Sequence, residues 1–268
     1  MIKHWIITGD THGYVVDRLQ KVANNVDDFV PSETAVVILG DAGINYYLNK
    51  TDRKHKREIS EMGIRVYCVR GNHEERPEKI SGIHSIYDED VCGNVYIEDD
   101  FQNIRYFEDG GVYNLGGRSV LTIGGAYSVD KFWRLERAIY GGYSGWFESE
   151  QLTGEEMASI EANVAGKHFD LVLTHTAPID WEPSDLFIGG IDQSKVDKTM
   201  EIWLGRLKDK FTWGIWLFGH FHADRVEAPH VEQIFEEYED INDILSRWSK
   251  YDETKELDWW IPRSPRMK

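Results

Sequence analysis

Five apolar runs along this chain stop in the same way. Trp5-Ile6-Ile7-Thr8, Ala35-Val36-Val37-Ile38-Leu39, Ile64 to Val69, Leu171-Val172-Leu173-Thr174 and Gly214 to Phe218 all give way to polar clusters, four of them through a glycine. A near-continuous apolar run is the signature of a strand covered on both faces, which means a largely parallel sheet with helices packed against it. Sites in such sheets form outside the carboxyl ends of the strands, and the polar clusters fall there. The intervening segments suit the helices this requires. Val15 to Asn24 turns Leu19 and Val22 inward, and Thr51 to Met62 reads as a charged helix capped by Thr51 and ended by Gly63.

The rest of the chain is less regular. Short runs between Asn94 and Gly125, separated by Gly and Asp turns, predict antiparallel hairpins. Asp88 to Asp109 carries eight acids against the single base Arg105 and reads as a solvated rim. Val129 to Phe147 reads as an aromatic loop, Thr153 to Ala165 and Lys195 to Leu207 as helices. From Val231 the tail is amphipathic and acidic, and its Trp259-Trp260-Ile261-Pro262 segment is suited to packing back or docking a partner. With 268 residues and no repeat, one domain is the economical reading: a motif core over 5–225 and a C-terminal extension over 226–268.

Composition narrows the function classes. A net charge of -17 argues against salt-driven binding to duplex nucleic acid, which needs a basic surface. Two cysteines make no disulfide framework, and Cys68 inside Val66-Tyr67-Cys68-Val69 reads as a buried, inert thiol. The N-terminal Met1-Ile2-Lys3-His4 leads into a strand rather than a signal peptide, and no apolar stretch is long enough to span a bilayer. A reducing, cytoplasmic setting is therefore expected, with no membrane partner.

The clusters themselves are Gly9-Asp10-Thr11-His12-Gly13, Gly40-Asp41, Gly71-Asn72-His73-Glu74, Thr174-His175 and Gly219-His220-Phe221-His222. Asp10 and His12 are two apart on an extended segment and point to one side. Carboxylate with imidazole suits Mn²⁺, Fe or Zn²⁺ better than Ca²⁺. Asp41 offers a carboxylate able to bridge two ions, Asn72 an amide oxygen, and His175, His220 and His222 imidazole nitrogens. Seven ligands are too many for one tetrahedral ion but fill two sites that share Asp41. Two such cations acidify a bridging water, hold phosphoryl oxygens and offset charge in the transition state. His73, beside Asn72, is placed to protonate a leaving alkoxide.

In this order and context the clusters resemble the motifs of the calcineurin-like metallophosphoesterase superfamily, GDxHG, GDxx, GNHE/D, H and GHxH, over residues 9 to 222. The resemblance implies an α/β fold, a four-layer α/β/β/α sandwich of two mixed sheets flanked by helices. It implies that Asp10, His12 and His222 bind one metal, that Asn72, His175 and His220 bind the other, and that Asp41 bridges them. His73 matches the proton-donating or phosphate-contacting histidine. Two divalent ions are implied, Mn²⁺ first, with Fe, Zn²⁺ or Ni²⁺ as alternatives.

One departure bears on substrate. Phosphoprotein phosphatases continue the second motif as GDxVDRG, whereas Ala42-Gly43-Ile44-Asn45 follows Asp41 here, so the orienting Asp and the phosphate-clamping Arg are missing. Asn45, Lys131 and Arg134 are the candidate replacements as phosphate contacts. The leading expectation is a metal-dependent phosphoric ester hydrolase, a phosphatase or phosphodiesterase acting on a small or flexible phosphate ester through a metal-bridging hydroxide. A nuclease of the same superfamily and a metal-poor scaffold are the alternatives.

Overall fold

Strand β1 (His4–Thr8) leads into helix α1 (Val15–Asn25), strand β2 (Thr34–Ile38), helix α2 (Lys50–Glu61) and strand β3 (Arg65–Cys68) in the computed structural model, which describes residues 1–251. Five strands follow: β4 (Ile83–Asp88), β5 (Gly93–Glu98), β6 (Ile104–Phe107), β7 (Gly111–Leu115) and β8 (Arg118–Ile123). Then come α3 (Lys131–Ile139), α4 (Gly154–Val164), β9 (His168–Thr174), α5 (Thr199–Leu207) and β10 (Thr212–Phe218). The described chain ends with β11 (Arg225–Ala228), β12 (Val231–Gln233), β13 (Tyr238–Asp240) and α6 (Ile241–Ser249). The Trp259-Trp260-Ile261-Pro262 segment lies outside the described residues.

The strands form two mixed sheets, ordered β13-β1-β2-β3-β6-β5-β4 and β11-β12-β10-β9-β8-β7. Each has a parallel centre, β1-β2-β3-β6 in one and β12-β10-β9-β8 in the other, flanked by antiparallel strands. The period-2 alternation of strand side chains sorts the apolar runs into layers. Ile7, Val37 and Tyr67 meet Leu171, Leu173, Ile215 and Leu217 in a core between the two sheets. The alternate residues Ile6, Val36, Ile38 and Val66 face outward onto Val15, Leu19 and Val22 of α1 and Ile59 of α2. On the far side Val172, Trp216 and Phe218 pack under Met157 and Ile160 of α4 and Met200 and Trp203 of α5. This is the expected α/β/β/α sandwich. Among the described residues no helix is long and apolar enough to cross a membrane.

Several local expectations are corrected. The cap of α2 is Asn49, whose side chain accepts from the Thr51 backbone N–H, so the helix begins one residue before Thr51. The aromatic segment 129–147 contains helix α3, and the helix expected from Lys195 begins only at Thr199. The acidic stretch is not simply a rim: buried Asp88 accepts from Tyr67 and Arg105, and Glu98 from Lys56 and Arg53. Nor are residues 226–251 an appendage. β12 lies beside β10 and β13 beside β1, so this segment completes both sheets, and α6 adds Ile241, Ile244 and Trp248 to the core between them.

Candidate metal centre

All seven ligand candidates leave the carboxyl ends of central strands. Asp10 and His12 follow β1, Asp41 follows β2, Asn72 and His73 follow β3, His175 follows β9, and His220 and His222 follow β10. Beyond the strands, hydrogen bonds tie one sheet to the other here, three of them to main-chain atoms. The His220 backbone N–H donates to Asp10 Oδ1 at 3.0 Å, His175 Nδ1 reaches the Leu39 carbonyl at 2.8 Å, and the Gly125 N–H donates to the Arg70 carbonyl at 2.8 Å. Two glycines permit the close approach. A Cβ at Gly40 would lie 2.1 Å from His175 Nδ1, and one at Gly219 would lie 2.3 Å from Asp10 Oδ1.

Backbone strain collects at the same place. Of the eight non-glycine residues with positive φ among the described residues, four are ligand candidates: His12 (45°), Asp41 (48°), His220 (66°) and His222 (55°). Each such conformation costs about 1 kcal/mol or more and persists where its surroundings over-determine it. The result is convergence: Asp10, His12 and His222, then His12, Asp41 and His73, then Asp10, Asp41 and His175 form overlapping groups, each with its ligand atoms within 4.8 Å.

Within these groups, electron-pair donors face one another. A carbonyl only accepts, so His175 donates to Leu39 through Nδ1 and a neutral ring turns a bare Nε2 inward. That nitrogen lies 2.8 Å from Asn72 Oδ1 and 3.7 Å from Asp41 Oδ2. In the other corner, Nε2 of His12 and Nε2 of His222 are 2.9 Å apart and face Asp10 Oδ2, which is buried without a hydrogen-bond partner. Buried polar atoms are ordinarily partnered. Lone pairs converging on lone pairs are resolved by cations, and the donor set of carboxylate, amide oxygen and imidazole fits divalent ions.

The electrostatics agree. Burial and the neighbouring His175 push the His220 imidazole down to about 3, leaving it in the neutral, ligating form. Burial alone would raise the Asp41 carboxyl, but His73, His175 and His12 hold it well below the usual carboxylate range. His222 runs the other way, raised by the Asp10 carboxylate whose Oδ2 lies 3.4 Å from its Nε2. Glu74, buried and near Asp41, is pushed up to about 8 while its Oε1 accepts from the Gly71 N–H at 2.8 Å.

His73 is half-buried, its Nε2 3.8 Å from Asp41 Oδ2 and its backbone N–H donating to Asp41 Oδ1 at 2.8 Å. Of the three candidate phosphate contacts, the structure brings Arg134 to this constellation. Its Nη2 lies 2.8 Å from His73 Nδ1, while Nε is held by Asp130 and Nη1 by the Gly145 carbonyl. Lys131 instead stacks its ammonium 4.2 Å above the Trp146 ring. Asn45 is buried, its amide against the Tyr106 phenol in the core under α1 and α2, and so it does not present that amide at the surface. Sequence reasoning missed Ser128 and Glu150, which support Asn72 from behind; the Gly124-Gly125 turn after an apolar strand was the one signal pointing there.

A family model described as calcineurin-like phosphoesterase matches residues 4–224, from the start of β1 to just past His222. The chain belongs to the calcineurin-like phosphoesterase family. Membership brings hydrolase chemistry and the two-metal dependence typical of the family, and the Asp/His groups above are the candidate metal site of this phosphoesterase. No curated protein matches the chain. Among the solved structures that match, one superposes with a TM-score of 0.44 over 91% of this chain and 96% of its own at 16% identity, a distance at which the likeness carries no argument.

Proposed function

We propose that this phosphoesterase hydrolyses a small or flexible phosphate mono- or diester with two divalent ions, Mn²⁺ foremost, in the cytoplasm. The observation that carries the reading is the set of inward-facing donors, His175 Nε2 against Asn72 Oδ1 and His12 Nε2 against His222 Nε2. Asp10, His12 and His222 would hold one ion, Asn72, His175 and His220 the other, and Asp41 both. When bound, such a pair supplies Lewis acidity to the phosphoryl oxygens and to water.

The chain's own groups do the rest. A guanidinium only donates, so His73 meets Arg134 as a neutral ring. Burial pushes His73 down, with Arg134 and His12 adding to the effect against Asp41. An entering phosphate offers Arg134 a charged acceptor, which makes a stronger hydrogen bond than an imidazole does. Turning to it, Arg134 takes the role of the arginine missing after Asp41 and frees His73 to serve the leaving oxygen. The charge of -17 disfavours a polyanionic duplex as substrate. Free Cys92 and buried Cys68 fit a reducing setting.

The test is turnover of p-nitrophenyl phosphate and bis-p-nitrophenyl phosphate with added Mn²⁺, Ni²⁺, Zn²⁺ or Fe²⁺. Failure with every ion and both esters would sink the reading. His73→Ala should lower kcat by about 10²–10⁴-fold with metal content unchanged.

A further inference from the structure

We infer that Ser128 and Glu150 are positioning residues that decide which end of the Asn72 amide faces the second ion, an inference that rests on the dinuclear reading above. Asn72 is the one ligand candidate with a wrong end: its oxygen can bind a cation and its NH₂ cannot. The two ends are similar in shape, so packing alone does not choose between them. A hydrogen-bond chain of fixed sense does.

Asn72 Nδ2 donates to Ser128 Oγ at 2.9 Å, and that hydroxyl donates onward to Glu150 Oε2 at 2.5 Å. Having spent its only proton on the carboxylate, the hydroxyl has only lone pairs to offer Asn72. It therefore selects the NH₂ end and leaves Oδ1 turned to His175 and the ion. The Ser128 backbone N–H donates to Glu150 Oε1 at 3.2 Å and keeps the carboxylate aligned. Both residues are buried, so water does not compete for these bonds.

Glu150 is itself anchored by main chain. Arg70 Nη1 donates to the Glu150 carbonyl at 2.8 Å and the Ser149 carbonyl at 3.3 Å. Arg76 Nε donates to the Ser149 carbonyl at 2.9 Å and Nη2 to the Gln151 carbonyl at 3.0 Å. Two buried guanidinium groups thus fix the backbone that carries the carboxylate. The RGNHE stretch holds its own asparagine through a loop some eighty residues away: Arg70 grips the loop, and the loop orients Asn72.

The experiment is calorimetric titration of Mn²⁺ into metal-stripped protein, with circular dichroism confirming the fold of each variant. Wild type should bind two ions. Ser128→Ala, and Glu150→Met, which removes the acceptor, should the alanine variant fail to fold, should each weaken one site by about 10–100-fold and leave the other unchanged. The decisive arm is the Asn72→Asp background. A carboxylate presents an oxygen either way round, so adding Ser128→Ala there should cost no affinity. A merely structural role carries the same loss into both backgrounds, and that outcome overturns the inference. So do two wild-type sites in folded Ser128→Ala and Glu150→Met. Wild type that binds no Mn²⁺ overturns the dinuclear reading and this inference with it, whereas two wild-type sites with unaffected variants overturn this inference alone.

Discussion

The two corners of the metal centre are made of similar ligands and differ in access. His12 and His222 side chains are 32% and 49% exposed, whereas the His175 side chain is 0% exposed and Asn72 is equally enclosed. The difference follows from where the backbone is. His12 and His222 lie on turns three residues past Gly9 and Gly219, with positive φ, while Asn72 and His175 sit where the sheets are bonded together through Leu39 and Arg70. One corner is carried on solvent-facing turns, whereas in the other Asn72 and His175 are enclosed by packing and fixed amides. Similar coordination chemistry can therefore be built with opposite exchange properties, and an ion in the open corner should come and go more readily.

Asp41 is the point at which the comparison can be broken outright. Its ligand atoms group with both corners, so Asp41→Ala removes what they share. Losing several kcal/mol of metal-borne stabilisation corresponds to a fall of about a thousandfold or more in kcat/KM. Metal analysis of the same variant should find at most one ion per chain. Two ions retained at wild-type affinity would mean the corners are independent sites.

A smaller effect separates the corners. In His222→Ala the lost ligand is solvent-facing, so activity should return when Mn²⁺ is raised about 10–100-fold, with melting unchanged. In His175→Ala, the Leu39 carbonyl loses its buried donor. That variant should lose stability by about 1–3 kcal/mol in addition to metal, and extra Mn²⁺ should not restore the melting temperature. Equal rescue of the two in rate and melting temperature would erase the distinction.

How legible these features were in the sequence follows the same division. The parallel strands and the ligands at their ends were readable because a strand covered on both faces has a continuous apolar run, and a polar residue next to its glycine stands out. Helix α3 was not. Phe132, Trp133, Ile139 and Tyr140 are exposed, so its apolar residues mark no core-facing stripe, and the residue it buries is the charged Arg134. Strand β12 hid in an acidic tail because Glu232 and Gln233 are fully buried, with Glu232 met by Arg247 and Trp248. Ser128 and Glu150 act through contacts of 56 and 22 residues' separation that no local pattern encodes. Polar burial is the common thread: a sequence shows where apolar side chains repeat, but not which charges the fold chooses to enclose.

A pH-dependent effect tests the enclosed corner's own burden. Glu201 of α5 is buried behind His175, its Oε1 accepting from the Thr176 hydroxyl at 2.7 Å, and burial pushes its carboxyl up to about 7. The folded protein thus keeps this proton to a higher pH than the unfolded chain, whose carboxyl titrates near 4.5. Below that lower value both states are protonated and Glu201 is neutral for stability. As pH rises toward 7 the unfolded state alone releases its proton, so the folded state becomes progressively less favoured; above 7 the full penalty applies, about 3 kcal/mol for a shift of this size. Gln at this position keeps an acceptor for Thr176 and has no proton to lose. Urea unfolding of Glu201→Gln should therefore match wild type at pH 4.5 and show greater stability at pH 8, leaving the part of the pH slope that belongs to the other raised carboxyls, Glu74 among them. Because Thr176 neighbours His175 without being a ligand candidate, Mn²⁺ affinity should be unchanged. Parallel pH profiles for variant and wild type would show that Glu201 ionises as easily in the fold as out of it, and that the closed corner is not held at the expense of a buried acid.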